Sequence, residues 1–284
     1  MHAKKIFLFL LFALQSFCKE PLLDEFKQVG YVEIANSFQP ETTFDALYAH
    51  FDVLIEFLQK NPIWIQKLYN AKERFIRSKD QHFYSTDFFG LYDESKKGTR
   101  GQIAVYYSPH FHEFVFSYYP ELNQIPEIAR FFKACFEIQK PYEDFFKKIA
   151  CELNLETIFS SSDTLVPILF KVVKYLPSYI AARPHYDGTA FSLFLDSTDN
   201  ESLLLSPYKS SFTVDDFSVP LRAFSKRRSI LLIPGAFLTE FSIYPTPHIV
   251  KHNRKVRYAT IAFAMRPNYI PQKTDYSFLP NFKD

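Results

Sequence analysis

Phe170-Lys171-Val172-Val173-Lys174-Tyr175 opens the part of the chain whose reading decides the fold. β-Branched and aromatic residues dominate this run, and such side chains suit a pleated, half-buried surface. Comparable runs follow at Ala190 to Leu195, Leu203 to Leu205, Ser229 to Ile233, His248 to Val250 and Arg257 to Ala264. Turn formers separate them: Asp199-Asn200, Pro207, Asp215-Asp216, Pro234-Gly235 and Pro245. Six or more short strands in about 100 residues predict a β-sandwich or jelly roll.

Upstream of this region the pattern turns helical. Phe44, Leu47, Phe51, Leu54 and Leu58 recur at three- and four-residue steps, as one face of a helix requires. Thr42 or Thr43 can cap its start, Asn61-Pro62 breaks it, and a second helical stretch runs to Ile76. Before it, Leu22 to Gln28 reads as a short helix and Gly30 to Ile34 as a strand. Residues 82–120 are rich in turns, and Tyr106 to Phe116 reads as a strand with His110 and His112 on one face. That pair has no acidic third ligand at matched spacing and is expected to be two partly exposed strand histidines. Ile125 to Leu153 is expected to be helical with an interruption at Pro141. The expected fold is mainly β (α+β): a jelly-roll core over 161–270, a helical region over 19–160 packed outside it, and a tail from 271 to 284. No internal repeat or low-complexity tract divides the chain.

Composition narrows the function. Of the 284 residues, 47% are hydrophobic and 18% aromatic, enough for a well-buried core. Only 6 glycines are present and no GxGxxG or P-loop pattern occurs, so a Gly-rich phosphate cradle is not expected. A net charge of +2 gives no electrostatic footprint for nucleic acid or a membrane surface. Lys226-Arg227-Arg228, the densest basic run, reads as a solvated turn. Lys4-Lys5, the apolar run Ile6 to Leu14 and Ser16 resemble an export signal over 1–18, which predicts an exported or periplasmic protein. The same segment is too short to span a bilayer, and its alternative reading is a buried helix of a cytoplasmic protein. Beyond Cys18, Cys135 and Cys151 show no zinc or redox spacing, and a disulfide between them is not required.

His185-Tyr186-Asp187 carries the chemistry. Residues two apart at a strand end project to the same side. One segment thereby offers an imidazole nitrogen and a carboxylate oxygen together. His248, in Pro-Thr-Pro-His-Ile-Val, supplies a second imidazole from a later strand. Two histidines and one carboxylate on one face of an ion are the protein's share of a non-haem Fe(II) oxygenase site. By itself, H-x-D is a common accident.

The surrounding sequence resembles the 2-oxoglutarate and Fe(II)-dependent oxygenases, specifically the isopenicillin N synthase-like branch. Lys174-Tyr175-Leu176-Pro177 and Arg183-Pro184-His185-Tyr186-Asp187-Gly188-Thr189 resemble its strand and first two ligands. Ser192-Leu193-Phe194-Leu195 with Ser202 to Leu205, and Leu232 to Leu238, resemble its pocket strands, with Ala236 where the family has Asp. Pro247-His248-Ile249-Val250 resembles the distal His-Arg-Val, Arg257 falls at the spacing of the cosubstrate arginine, and Phe263 to Pro267 resembles the closing strand. Phe26 to Val32 and the long helix after it fit the N-terminal region more diffusely.

The resemblance implies a double-stranded β-helix with His185, Asp187 and His248 as metal ligands and catalytic centre. It further implies Fe(II), O2 and 2-oxoglutarate as cofactors, with Arg257 binding the cosubstrate carboxylate through its bidentate fork. Lys174 and Tyr175 are the other cosubstrate-side candidates. The expected substrate is a small molecule or an exposed side chain, oxidised with formation of succinate and CO2. Expected pocket walls are Tyr186, Phe191 and Phe263. Nucleic acid and a membrane span are not expected partners, and a monomer is the expected state. The family's serine two residues after the arginine is Ala259 here, and its Asn-x-Tyr aligns with Lys174-Tyr175-Leu176. Two alternatives therefore stay open: an iron oxidase of this fold that does not use 2-oxoglutarate, and a binding module without catalysis.

Overall fold

The computed structural model describes residues 21–35, 41–78, 90–93, 101–153, 168–198, 202–207, 214–218, 220–223, 229–253 and 255–264. Helices α1 (Pro21–Val29), α2 (Glu41–Lys60) and α3 (Pro62–Ser78), with strand β1 (Val32–Ala35), come first. Strands β2 (Gly90–Asp93) and β3 (Gln102–Tyr107) then lead into α4 (Pro109–Tyr118) and α5 (Pro126–Glu152). The C-terminal half is β4 (Ile168–Tyr175), β5 (Ser178–His185), β6 (Phe191–Ser197), β7 (Leu203–Leu205), β8 (Arg222–Ala223), β9 (Ser229–Pro234), β10 (His248–Asn253) and β11 (Arg257–Ala264). The leader and tail expectations, Cys18 and Lys226-Arg227-Arg228 lie outside the described residues.

The strands form two sheets, ordered β1-β9-β6-β11-β4-β3-β2 and β5-β10-β7-β8, with antiparallel pairing throughout. From β4 onward the chain passes back and forth between them, which is the winding of a jelly roll. The N-terminal region does more than pack outside. Its β1, β2 and β3 extend the large sheet at both ends.

The α2 stripe forms as its period requires: Phe44, Leu47, Phe51, Leu54 and Leu58 are all buried. At the break, the Asn61 amide donates to the Leu58 carbonyl and Pro62 begins α3. Two expectations are corrected. Tyr106 to Phe116 is not a strand. The Ser108 hydroxyl accepts from the Phe111 amide at 3.1 Å and Pro109 takes the first helical turn, so a cap and a preset φ start α4 there. His112 then faces Tyr107, Phe116 and Phe132. Nor does Pro141 interrupt α5, which runs as one helix of 27 residues. A proline inside a helix costs about 3 kcal/mol. Here a buried stripe continues on both sides of it, from Ile128, Phe131 and Phe132 to Tyr142, Phe146 and Ile149, and that packing prevails.

Polar contacts from α2 fix which face of the large sheet carries the helices. The Lys174 ammonium donates to Asp52 at 2.7 Å, and the Tyr258 hydroxyl donates to the same carboxylate. The Tyr48 hydroxyl donates to Asp196 at 2.9 Å and accepts from Thr260 at 3.2 Å. Lys174, Asp196, Tyr258 and Thr260 therefore face the helical layer. Their alternates, Tyr175, Ser197, Arg257 and Ala259, face inward toward the small sheet. A register shift between Thr260 and Ile261 leaves Leu195 without a partner in the ladder. That bulge lets Phe194 and Ser192 face inward as well, although Phe194 and Asp196 are two apart.

Candidate metal centre

The site forms where the two sheets meet at one mouth of the roll. His185 ends β5 and His248 begins β10, and the two are direct partners in the antiparallel ladder. Their ring centroids lie 4.2 Å apart. Asp187 follows His185 on the crossover toward β6. Its Oδ1 lies 3.8 Å from His185 Nε2 and its Oδ2 3.7 Å from His248 Nε2. One ligand atom from each residue falls within 4.8 Å of the other two. Ligands at right angles on bonds of about 2.1 Å lie about 3.0 Å apart, so the three groups close by up to about 2 Å to hold one ion on a common face. The donor set, two imidazole nitrogens and one carboxylate, suits a divalent first-row ion with open positions.

Neighbouring groups prepare two of the ligands. His248 is 3% exposed, and its Nδ1 lies 3.2 Å from the Thr246 carbonyl oxygen. A carbonyl only accepts, so the ring proton belongs on Nδ1 and the Nε2 lone pair is turned to the site. The Ser192 hydroxyl donates to Asp187 Oδ2 at 2.5 Å. Burial works to raise the Asp187 carboxyl. The His248 and His185 rings in their protonated form, the Ser192 hydroxyl and the Lys171 ammonium outweigh it, holding the group below its usual value.

The crossover itself is gripped by the corner after β9. The Gly235 amide donates to the Ala190 carbonyl, the Ala236 amide to Asp187 and the Phe237 amide to Thr189. A Cβ on Gly235 would lie 2.1 Å from the Thr189 carbonyl oxygen. No side chain fits there.

Arg257 and Tyr175 lie together on the inner face as ladder partners, the guanidinium 4.1 Å above the tyrosine ring. Arg257 is 2% and Tyr175 4% exposed. Lys174 is not with them. Its partner is Asp52 in α2, because strand alternation sends it to the other side of the sheet, and this corrects its assignment to the cosubstrate side. The same alternation shows that the tyrosine beside Arg257 is Tyr175, although the family's Asn-x-Tyr aligned a tyrosine position with Leu176. Inward-facing Ser197, the ladder partner of Ala259, brings a hydroxyl to the strand beside the one lacking it.

Of the expected pocket walls, Phe263 faces inward. Phe191 faces outward against Phe26, with centroids 6.2 Å apart, and Tyr186 packs with Leu204, Phe217 and Ile249. Lys171 escaped notice in the sequence. It lies on the inner face, two positions before Val173, and its charge reaches Asp187. Only strand parity distinguishes it from Lys174. Cys135 and Cys151 are not joined in a disulfide.

No protein-family model matches the chain, and no curated protein matches it. Several solved structures share its fold. Dioxygenase for auxin oxidation 1 from Arabidopsis thaliana, solved as a binary complex with 2-oxoglutarate, is 16% identical with a TM-score of 0.53, over 91% of this chain and 94% of that one. JOX2, solved with 2-oxoglutarate, Fe and JA, is 14% identical with a TM-score of 0.54, over 91% and 75%. A 2-oxoglutarate-Fe(II) oxygenase family protein from Caulobacter crescentus is 15% identical with a TM-score of 0.53, over 90% and 87%. The chain thus has the fold of the 2-oxoglutarate and Fe(II) oxygenases. Among the described residues no helix is long and apolar enough to cross a membrane.

Proposed function

We propose that the chain is a non-haem Fe(II)- and 2-oxoglutarate-dependent oxygenase acting on a small molecule or an exposed side chain. The observation that carries this reading is the convergence of His185, Asp187 and His248, with ligand atoms within 4.8 Å, at the mouth of a jelly roll. His185, Asp187 and His248 would hold the iron, leaving coordination positions for the keto acid and O2. With these bound, the chemistry supplied is oxygenation of a C–H bond coupled to conversion of 2-oxoglutarate to succinate and CO2.

The protein's own residues bind, orient and exclude water. Thr246 fixes the tautomer of His248 and Ser192 fixes the rotamer of Asp187. Arg257 offers its planar fork to the distal carboxylate of 2-oxoglutarate, a geometry that suits a carboxylate better than an ammonium does. Tyr175 supports that fork from below, and the Ser197 hydroxyl stands where it can complement it. The inner walls, including Phe194, Ile261 and Phe263, keep the reacting centre dry, which strengthens each of these electrostatic contacts.

The test is an anaerobic Fe(II) titration with and without 2-oxoglutarate. The expected result is a weak visible charge-transfer band that requires both additions and is lost in Asp187→Ala and in Arg257→Leu. Succinate formation in air is expected with wild type alone. Metal binding with no band and no succinate would mean an iron protein that does not use the keto acid. No metal binding would refute the reading.

A further inference from the structure

We propose that Lys171 is a substrate-recognition residue, and that the substrate is a small monoanionic organic acid with an apolar or aromatic body. This inference rests on the oxygenase reading and specifies the substrate class of that site.

Ladder registers place Lys171 in a row across the inner face of the large sheet. Phe194 pairs with Ile261, Ile261 with Lys171, and Lys171 with Tyr106. One end of the row touches the metal centre, where the Phe194 ring lies 5.7 Å from that of His248. At the other end the Lys171 ammonium sits 5.2 Å over the Tyr106 ring. Adjacent strands are about 4.8 Å apart, so Lys171 starts roughly 10 Å from Phe194, with apolar Ile261 between them. A molecule bridging this distance would rest its body on Phe194 and Ile261, put one end at the triad and present the other to the ammonium.

Charge favours an acid at that end. Among the described residues no carboxylate lies within ion-pair distance of Lys171, although its field reaches Asp187. With the site loaded, a divalent metal and Arg257 balance Asp187 and the dianionic keto acid. Among the described residues the charge of Lys171 remains over. On the half-buried inner face of the sheet such a charge favours a compensating anion, and the keto acid is already matched by Arg257. A monoanion satisfies it, whereas a neutral or cationic substrate leaves it exposed to a partly desolvated site.

Binding is measured by ligand-observed NMR of the full chain under anaerobic conditions, with and without Fe(II) and 2-oxoglutarate. The probes are benzoate, phenylacetate, 3-phenylpropionate and octanoate, each against its primary amide. At least one acid is expected to bind tenfold or more tightly than its amide. Lys171→Met, which keeps the stem over Tyr106, should abolish that preference, and Lys171→Arg should retain it. Both variants should melt like wild type and bind 2-oxoglutarate unchanged. Equal binding of acids and amides, absence of binding by every acid, or a preference that survives Lys171→Met would overturn the proposal. So would a loss of 2-oxoglutarate affinity in Lys171→Met matching the loss of acid, which would give the lysine to the cosubstrate. Acid binding without added metal is read separately. Failure of wild type to bind iron or 2-oxoglutarate would thus sink the oxygenase reading while the Lys171 result stood on its own.

Discussion

Replacing Gly235 by alanine should damage the metal centre without touching a ligand. The added methyl would lie 2.1 Å from the Thr189 carbonyl oxygen, 2.7 Å from its carbon and 3.0 Å from the Asp187 oxygen. Ordinary contact begins near about 3.5 Å, so the crossover must retreat by more than about 1 Å. All three obstructing atoms belong to backbone, and none can rotate away. The retreat strains the bonds from the Gly235, Ala236 and Phe237 amides that hold this crossover. Leaving a buried donor unsatisfied costs about 1–3 kcal/mol each, so a loss of about 2–6 kcal/mol is expected if two give way. Asp187 moves with its backbone, and a shift of about 1 Å is half the length of a ligand bond, so Fe(II) affinity should fall at least about 100-fold. Urea unfolding measures the first effect and anaerobic Fe(II) titration the second. A variant within about 1 kcal/mol of wild type with metal affinity within about threefold would refute the argument that this corner positions Asp187.

Ser192→Ala should retain the fold but weaken Fe(II) binding about 10-fold, since it removes the hydroxyl that orients Asp187; calorimetric titration checks this. Lys174→Met should leave 2-oxoglutarate binding unchanged and lower stability by no more than about 1 kcal/mol, because its partly exposed pair with Asp52 is on the helical side. His112→Phe should flatten the acid limb of stability. Burial pushes the His112 imidazole down to about 4 from its ordinary 6.5. As pH falls through 6.5 the unfolded chain takes up a proton that the folded chain refuses until about 4, so stability present above 6.5 is lost across that window. Partial exposure limits the difference to about 1–2 kcal/mol, read from urea midpoints at pH 7 and pH 4.5.

The triad and the jelly roll were legible because their signals are local. His185 and Asp187 share a short segment, and turn residues punctuate the strands around them. The α2 stripe was legible because one face is apolar and the other is not. Strand β4 gave no such contrast. Both its faces are covered, one by helices and one by the small sheet, so apolar residues occupy both and parity is hidden. The sequence alone therefore does not separate Lys174, which faces the helices, from Tyr175, which faces inward beside Arg257, and it gives no sign that Lys171 shares the inner face. The Leu195 bulge is equally silent in sequence, yet it decides which β6 residues reach the site. At α4 the capping signal Ser108-Pro109 competed with the alternation of His110 and His112, and the cap prevailed. At Pro141 the outcome depended on how much the flanking residues bury, which only tertiary packing reveals.

His185 and His248 face each other across the first rung of the β5–β10 ladder, though a long stretch of chain intervenes. An ion held there acts as a staple, closing that loop and tying the small sheet shut at its open end. Iron occupancy then becomes a lever on the mechanical integrity of the roll. Amides of β5 and β10 should exchange with solvent more slowly once it is in place, because every opening that separates the two strands must first release the ion.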